Sequence, residues 1–86
     1  MKKLTNERRA LLEPEILKAR EALQTAETLI SVTPEWRANM KIVWSCQELL
    51  EKELGLSMTR QWLIVQNKAQ LNDYFLADGT PIKVKR

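Results

Sequence analysis

Histidine is absent from this chain, cysteine occurs once and glycine twice. Zinc sites and pairs of a nucleophile with a base are built mainly from histidine, cysteine and acidic side chains, so this composition argues against both. Two glycines are too few for a glycine-rich phosphate-binding loop. The carboxylates are spread along predicted helices, where pairing with lysine or arginine is their ordinary role. We therefore expect no enzyme, no cofactor, no metal and no small-molecule substrate.

The chain also has no apolar run long enough to cross a membrane, and no secretory signal pattern follows Met1. Cys46 stands alone, so no disulfide within the chain is expected. On a helix, its simplest interpretation is a small buried apolar residue. These features predict a cytoplasmic protein that does not contact membranes.

The 86 residues suit one small domain, and 44% hydrophobic with 29% charged residues is ordinary for a globular protein. The net charge of +3 is unevenly distributed along the chain. Residues 1–53 carry nine basic and nine acidic side chains, whereas residues 54–86 carry five basic and two acidic ones. A basic end attracts phosphate groups or an acidic protein surface, although it also serves simply to keep a protein soluble.

Apolar residues in the first third of the chain recur at alternating spacings of four and three, which is typical of the packed face of a helix. They are Leu12, Ile16, Ala19, Leu23, Ala26 and Ile30. Pro14 interrupts this pattern, because proline inside a helix removes a backbone hydrogen bond. We predict a helix over residues 14–31 that begins at the proline, with a kinked longer helix as the alternative. Residues 1–6 form a charged lead-in, with Thr5 or Asn6 as a helix cap.

Thr33 and Pro34 predict the start of a second helix, as its cap and its first residue. This helix should run over residues 34–54 and form an antiparallel hairpin with the first, because the connection is short. Apolar side chains cover more than half of its circumference. Trp44 lies to one side of them, so it either packs over a neighbouring helix or stands exposed at an interface, where tryptophan is enriched.

Residues 57–76 form the predicted third helix, with Gly55 ending the second helix and Ser57 capping the third. Its apolar side chains fall in two stripes on nearly opposite sides. The first stripe contains Met58, Trp62, Val65, Ala69 and Leu76, and the second contains Ile64, Leu71 and Phe75. Two stripes predict contacts on two sides, supplied either by two helices of the same chain or partly by another chain. Residues 59–65 also fit the length and composition of a strand, which is the less favoured alternative.

A cluster of turn-forming residues follows the third helix, and apolar and basic side chains then alternate from Ile82 to Arg86. We interpret residues 77–86 as a short basic tail, either flexible or extended along a sheet edge of another molecule. Together the segments predict one all-α domain over residues 1–86. Its architecture is a helical hairpin with a third helix packed across it, as in a three-helix bundle.

Residues 47–64 resemble a helix-turn-helix, a general DNA-binding motif. The matching residues are Leu50, Leu54, Gly55, Leu56, Ser57 and Ile64. Glu51 stands where the motif usually has a small residue, and Gln61 stands where it usually has an aliphatic one. The resemblance implies DNA binding through residues 47–68 together with the basic tail. The side chains facing the DNA would be Met58, Thr59, Arg60, Gln61, Asn67, Lys68, Lys83, Lys85 and Arg86.

Protein binding is the function that we favour over DNA binding. The two-sided third helix, the wide apolar arc of the second and the neutral first 53 residues support this hypothesis. Compact chains without catalytic residues often act as adaptors or inhibitors, including phage-encoded ones. We expect a small non-enzymatic regulatory protein of this type, acting as a homodimer. The predicted contact residues are Trp44, Ile64, Leu71 and Phe75.

Overall fold

The computed structural model describes residues 4–66 and 71–76, which form three α-helices and a 3₁₀ turn. Helix α1 spans Asn6–Glu27, α2 spans Pro34–Leu54, α3 spans Met58–Gln66, and the turn spans Leu71–Asp73. Helix α1 packs along α2, and α3 contacts both. The predicted all-α architecture, a hairpin with a third helix, is confirmed.

Helix α1 begins eight residues earlier than predicted and contains Pro14 in its interior. Thr5 caps it, because its hydroxyl oxygen accepts a hydrogen bond from the backbone N–H of Arg8 at 3.2 Å. The proline is exposed, whereas Leu12 is completely buried. Burial of the turns before the proline therefore outweighs the hydrogen bond that the proline removes.

The end of α1 also differs from the prediction, because the helix stops at Glu27. The hydroxyl of Thr28 donates to the carbonyl oxygen of Thr25 at 2.8 Å, and the backbone N–H of Thr28 donates to the same oxygen at 3.1 Å. These bonds satisfy a carbonyl that the helix leaves without a partner. Ile30 consequently lies beyond the helix and is exposed instead of completing the apolar face.

Helix α2 has the predicted bounds, which are set by local signals at both ends. The Thr33 hydroxyl accepts from the backbone N–H of Trp36 at 3.2 Å, and Pro34 is the first helical residue. Gly55 ends the helix with φ 62° and ψ 33°, and its N–H donates to the carbonyl oxygen of Glu51 at 2.8 Å. This left-handed conformation is the one that glycine adopts at least cost.

The predicted third helix is shorter than expected, because α3 ends at Gln66 and Leu71–Asp73 forms a 3₁₀ turn. The carbonyl oxygen of Leu71 accepts hydrogen bonds from the N–H groups of Tyr74 and Phe75 at 3.0 and 2.8 Å. Leu71 and Phe75 are both buried by this tight turn, while Leu76 is left exposed. Residues 59–65 are helical, so the strand alternative is wrong.

Polar contacts join the beginning of α1 to later parts of the chain. The Nε atom of Arg8 lies 3.3 Å from a carboxylate oxygen of Glu53, which shows that α1 and α2 are antiparallel. Arg9 donates from Nη1 to the side-chain oxygen of Asn72 and from Nη2 to the carbonyl oxygen of Leu76, the latter at 3.4 Å. Asn72 and Leu76 are thus joined to the first turns of α1.

A single apolar core lies between the helices and includes the turn after α3. Its most deeply buried side chains are Leu4, Leu12, Ala19, Val43, Leu50, Leu54, Ile64, Val65, Leu71 and Phe75. Cys46 belongs to the same core, as predicted. The inner face of α2 packs in this core, so its opposite face is exposed to solvent.

Candidate protein-binding surface

Trp44 is the one tryptophan of the three that is exposed, with 43% of its surface accessible, whereas Trp36 and Trp62 are half-buried. Its ring meets that of Trp36 edge to face, with centroids 6.1 Å apart and planes at 78°. Such a contact is favourable and restricts the ring, so less side-chain entropy is lost when a partner covers it. Trp44 therefore presents an ordered aromatic surface on the outside of α2.

Four charged residues form one row with Trp44 along α2 at spacings of four and three, and all are exposed. We call these five residues the α2 stripe, which comprises Arg37, Lys41, Trp44, Glu48 and Glu51. Both cations precede Trp44 and both acids follow it. The stripe is thus basic at one end, aromatic at the centre and acidic at the other end.

A cleft of about 400 Å³ lies at the basic end of the α2 stripe, and we call it the basic-end cleft. Its walls are formed by Val32, Thr33, Pro34, Arg37, Ala38 and Lys41. Val32 is 82% exposed, so apolar surface accompanies the two cations there. This combination suits a carboxylate-bearing side chain from another polypeptide.

The other three predicted contact residues lie inside the protein. Ile64 and Leu71 are completely buried, and Phe75 is 1% exposed. The second stripe of the predicted third helix is therefore covered by the chain's own core, not left for another chain. We correct the predicted contact set accordingly, and of its four residues only Trp44 is available to a partner.

The connection between α2 and α3 has the local structure that the helix-turn-helix resemblance implies. Leu56 is buried, and the hydroxyl oxygen of Ser57 accepts from the N–H of Arg60 at 3.4 Å. Gln61 is also buried, although the motif usually has an aliphatic side chain there. Its Nε2 atom donates to the carbonyl oxygen of Leu56 at 3.0 Å, so this amide closes the turn.

One of the predicted DNA-facing residues that the structure describes is not available at the surface. Thr59 is exposed and Arg60 is half-buried near the start of α3, but Gln61 points into the core and is removed from the set. The remaining predicted residues lie outside the described part of the chain, and they are Asn67, Lys68, Lys83, Lys85 and Arg86. What the described residues offer to DNA is thus the first turn of α3, with Met58 exposed beside Thr59.

Arg20 is a residue that the sequence analysis missed. Its Nε atom donates to the carbonyl oxygen of Ile64 at 3.3 Å, while Nη2 is buried without a hydrogen-bond partner in the described part of the chain. Burial lowers the pKa of Arg20, and the nearby carboxylate of Asp73 partly opposes this shift. The available signal was its position four residues after Ile16, at the edge of the apolar face of α1.

A second cleft, of about 420 Å³, lies between α1 and the turn after α3. Its walls are formed by Ala10, Glu13, Pro14, Ile16, Leu17, Arg20 and Leu71. Leu17 is 56% exposed at its mouth. Leu17 and Leu71 make the cleft partly apolar, and Arg20, whose Nη2 atom is buried, lines it as well.

Cys46 has the environment of a structural thiol. Burial raises its pKa to about 11, with the carboxylate of Glu15 adding to the shift and Arg20 opposing it. The thiolate is the reactive form of cysteine, so this thiol is poorly nucleophilic at neutral pH.

Among residues 4–66 and 71–76, no three histidine, cysteine or acidic side chains are grouped as ligands for a metal ion. In the same part of the chain, no helix has the length and hydrophobicity needed to span a membrane. No protein-family model, curated protein or solved structure matches this chain.

Proposed function

We propose that this chain is a small non-enzymatic regulatory protein that acts by binding a protein partner through the outer face of α2. The observation that carries the proposal is the exposed, ordered ring of Trp44 at the centre of the α2 stripe. Covering a large apolar side chain is favourable by about 25 cal/mol per Å² removed from water. Tryptophan at the centre of a contact surface is accordingly among the residues that contribute most to protein binding.

The surroundings of Trp44 match the usual organisation of a protein interface. Charged side chains lie on both sides of the ring along the helix, which corresponds to an apolar centre with a polar rim. Helix α2 is held by the core along its inner face, so the surface is presented by a rigid element. Rigid presentation lowers the entropy lost on binding. An adaptor or inhibitor acting in the cytoplasm is the role that we assign to such a module.

Site-specific photo-crosslinking tests this proposal. A photoreactive phenylalanine derivative at position 44 should form covalent adducts with a partner protein in cells that produce the chain. The same derivative at Lys18, which is exposed on α1, provides the matched control and should give none. An equal adduct pattern at the two positions, or no adduct at either, would contradict the proposal.

DNA binding through the connection of α2 and α3 is the second candidate function. It is supported by one observation, the turn in which Ser57 caps α3 and Gln61 bonds to Leu56. Thr59 and Arg60 would then face the DNA from the first turn of α3. Binding to a labelled duplex should weaken steeply with salt, because phosphate contacts release counterions. Arg60→Ala should reduce the salt dependence, and no binding at about 50 mM salt would exclude this candidate.

A further inference from the structure

We propose that the partner of the α2 stripe is a second copy of this chain, bound antiparallel across a two-fold axis at Trp44. This inference rests on the proposed function, since it names the occupant of the same surface. It is carried by the order of charges along α2, which makes the stripe complementary to itself when reversed.

The charges are placed almost symmetrically about Trp44. Arg37 lies seven residues before it and Glu51 seven residues after it, about 10.5 Å along the axis in each direction at 1.5 Å per residue. Lys41 lies three residues before and Glu48 four residues after, at about 4.5 and 6 Å. When a second α2 runs in the opposite direction, Arg37 meets the partner's Glu51 and Lys41 meets the partner's Glu48. A two-fold axis forms each of these pairs twice.

The same charges disfavour a parallel arrangement. Two parallel copies in register would place Arg37 against the partner's Arg37 and Glu48 against the partner's Glu48. Like charges brought together across an interface cost free energy and reject the wrong orientation. The stripe therefore specifies the direction of the second helix as well as its identity.

The shape of the surface also suits a second helix. Spacings of four and three produce a straight row of side chains, as in the seam between two packed helices. Ala38 and Ser45 lie beside this row and are small and exposed, so a neighbouring backbone can approach closely. The basic-end cleft is lined by Arg37 and Lys41, and it leaves space for the partner's acidic side chains.

The overall charge of this region permits self-association, because the first 53 residues carry nine bases and nine acids. A single pair of helices covers less area than the roughly 1,200–2,000 Å² of a standard interface. We therefore expect a dissociation constant on the order of 10–100 µM and a dimer in rapid exchange with the monomer.

Two charge-reversed variants test the proposal by sedimentation velocity. R37E/K41E makes the α2 stripe acidic throughout, and E48K/E51K makes it basic throughout. All four side chains are exposed, and each change places acids towards the start of α2 or bases towards its end, which the helix dipole favours. Both variants should thus keep the helical circular dichroism of the natural chain.

The natural chain should shift from monomer to dimer as its concentration rises to about 500 µM, above the expected dissociation constant. Each variant alone should stay monomeric over the same range, and an equimolar mixture of the two should form a heterodimer. A mixture that stays monomeric, or variants that dimerise as the natural chain does, would overturn the proposal.

The crosslink at position 44 distinguishes failure of this proposal from failure of the proposed function. An adduct with a different protein would preserve the proposed function, whereas an adduct of twice the chain mass would support the second copy.

Discussion

The Nε atom of Arg20 donates a hydrogen bond to the carbonyl oxygen of Ile64, so the middle of α1 is joined to the last turn of α3. The last carbonyls of a helix have no partner within the helix, and a cationic donor there also interacts favourably with the helix dipole. This bond links two elements that are 44 residues apart in the chain.

Arg20→Ala should lower the free energy of unfolding by about 1–2 kcal/mol, because it removes this bond and the packing of the side-chain stem. Denaturation with urea would measure the change. Lys18→Ala, at an exposed position on the same helix, is the control and should have almost no effect. Equal stabilities for the two variants would show that the contact with Ile64 does not contribute to the free energy of unfolding.

Gln61→Leu introduces the aliphatic side chain that a helix-turn-helix usually has at this position. We expect it to destabilise the protein by about 1–2 kcal/mol, because the buried carbonyl of Leu56 loses its donor. Gln66→Leu at the exposed end of α3 is the matched control for the same chemical change. A more stable Gln61→Leu variant would mean that the amide is a poor substitute for an apolar residue in this turn.

Pro14→Ala should raise the free energy of unfolding by about 1–3 kcal/mol. The alanine supplies an N–H for the carbonyl oxygen of Ala10 and removes the steric conflict of the ring with the preceding turn. Pro14 is exposed, so little packing is lost with it. Thermal unfolding measured by circular dichroism would show a higher midpoint. A lower midpoint would indicate that the cleft beside Pro14 depends on the ring.

Cys46 should make stability depend on pH in the alkaline range. Its pKa is raised from an ordinary 9.0 to about 11 in the folded protein. Between these values the unfolded chain loses the thiol proton and the folded chain keeps it, so the folded state binds more protons and stability falls as pH rises. Below pH 9 both states are protonated, and this contribution is constant.

Comparison with Cys46→Ala separates the contribution of the thiol from that of the other ionisable side chains. The fall in unfolding free energy from pH 9 to 11 should be smaller in the variant. A thiol-specific reagent at neutral pH should also react slowly with the folded natural chain and quickly after denaturation. Rapid reaction of the folded chain would contradict a buried thiol.

Local signals in the sequence predicted α2 correctly at both ends. Thr33 with Pro34 and the glycine at position 55 act through the backbone of their immediate neighbours, so no knowledge of the rest of the fold was needed. The start of α1, by contrast, was predicted incorrectly. Pro14 favours a helix start when only its own turn is considered, but burial of Leu12 extends the helix through it.

The candidate site was predictable only in part. Periodicity identified the apolar faces around Ile64 and Phe75, but it does not distinguish a surface covered by the same chain from one covered by another. The exposure of Trp44 was one of two alternatives in the sequence, and the burial of the inner face of α2 decided between them. Arg20 was missed, and so were the contacts of Arg9 with Asn72 and Leu76, because these partners are more than 40 residues away.

The contacts of Arg9 have a consequence for the order of folding. Its bonds to Asn72 and Leu76 close loops of 63 and 67 residues, the longest among the hydrogen bonds described here. Closing a long loop costs more chain entropy than closing a hairpin, so the pair of α1 and α2 should assemble first and the turn at Leu71–Asp73 should dock afterwards. Interactions that form after the transition state slow unfolding without accelerating folding. We therefore expect the contacts of Arg9 to slow unfolding and lengthen the lifetime of the native state.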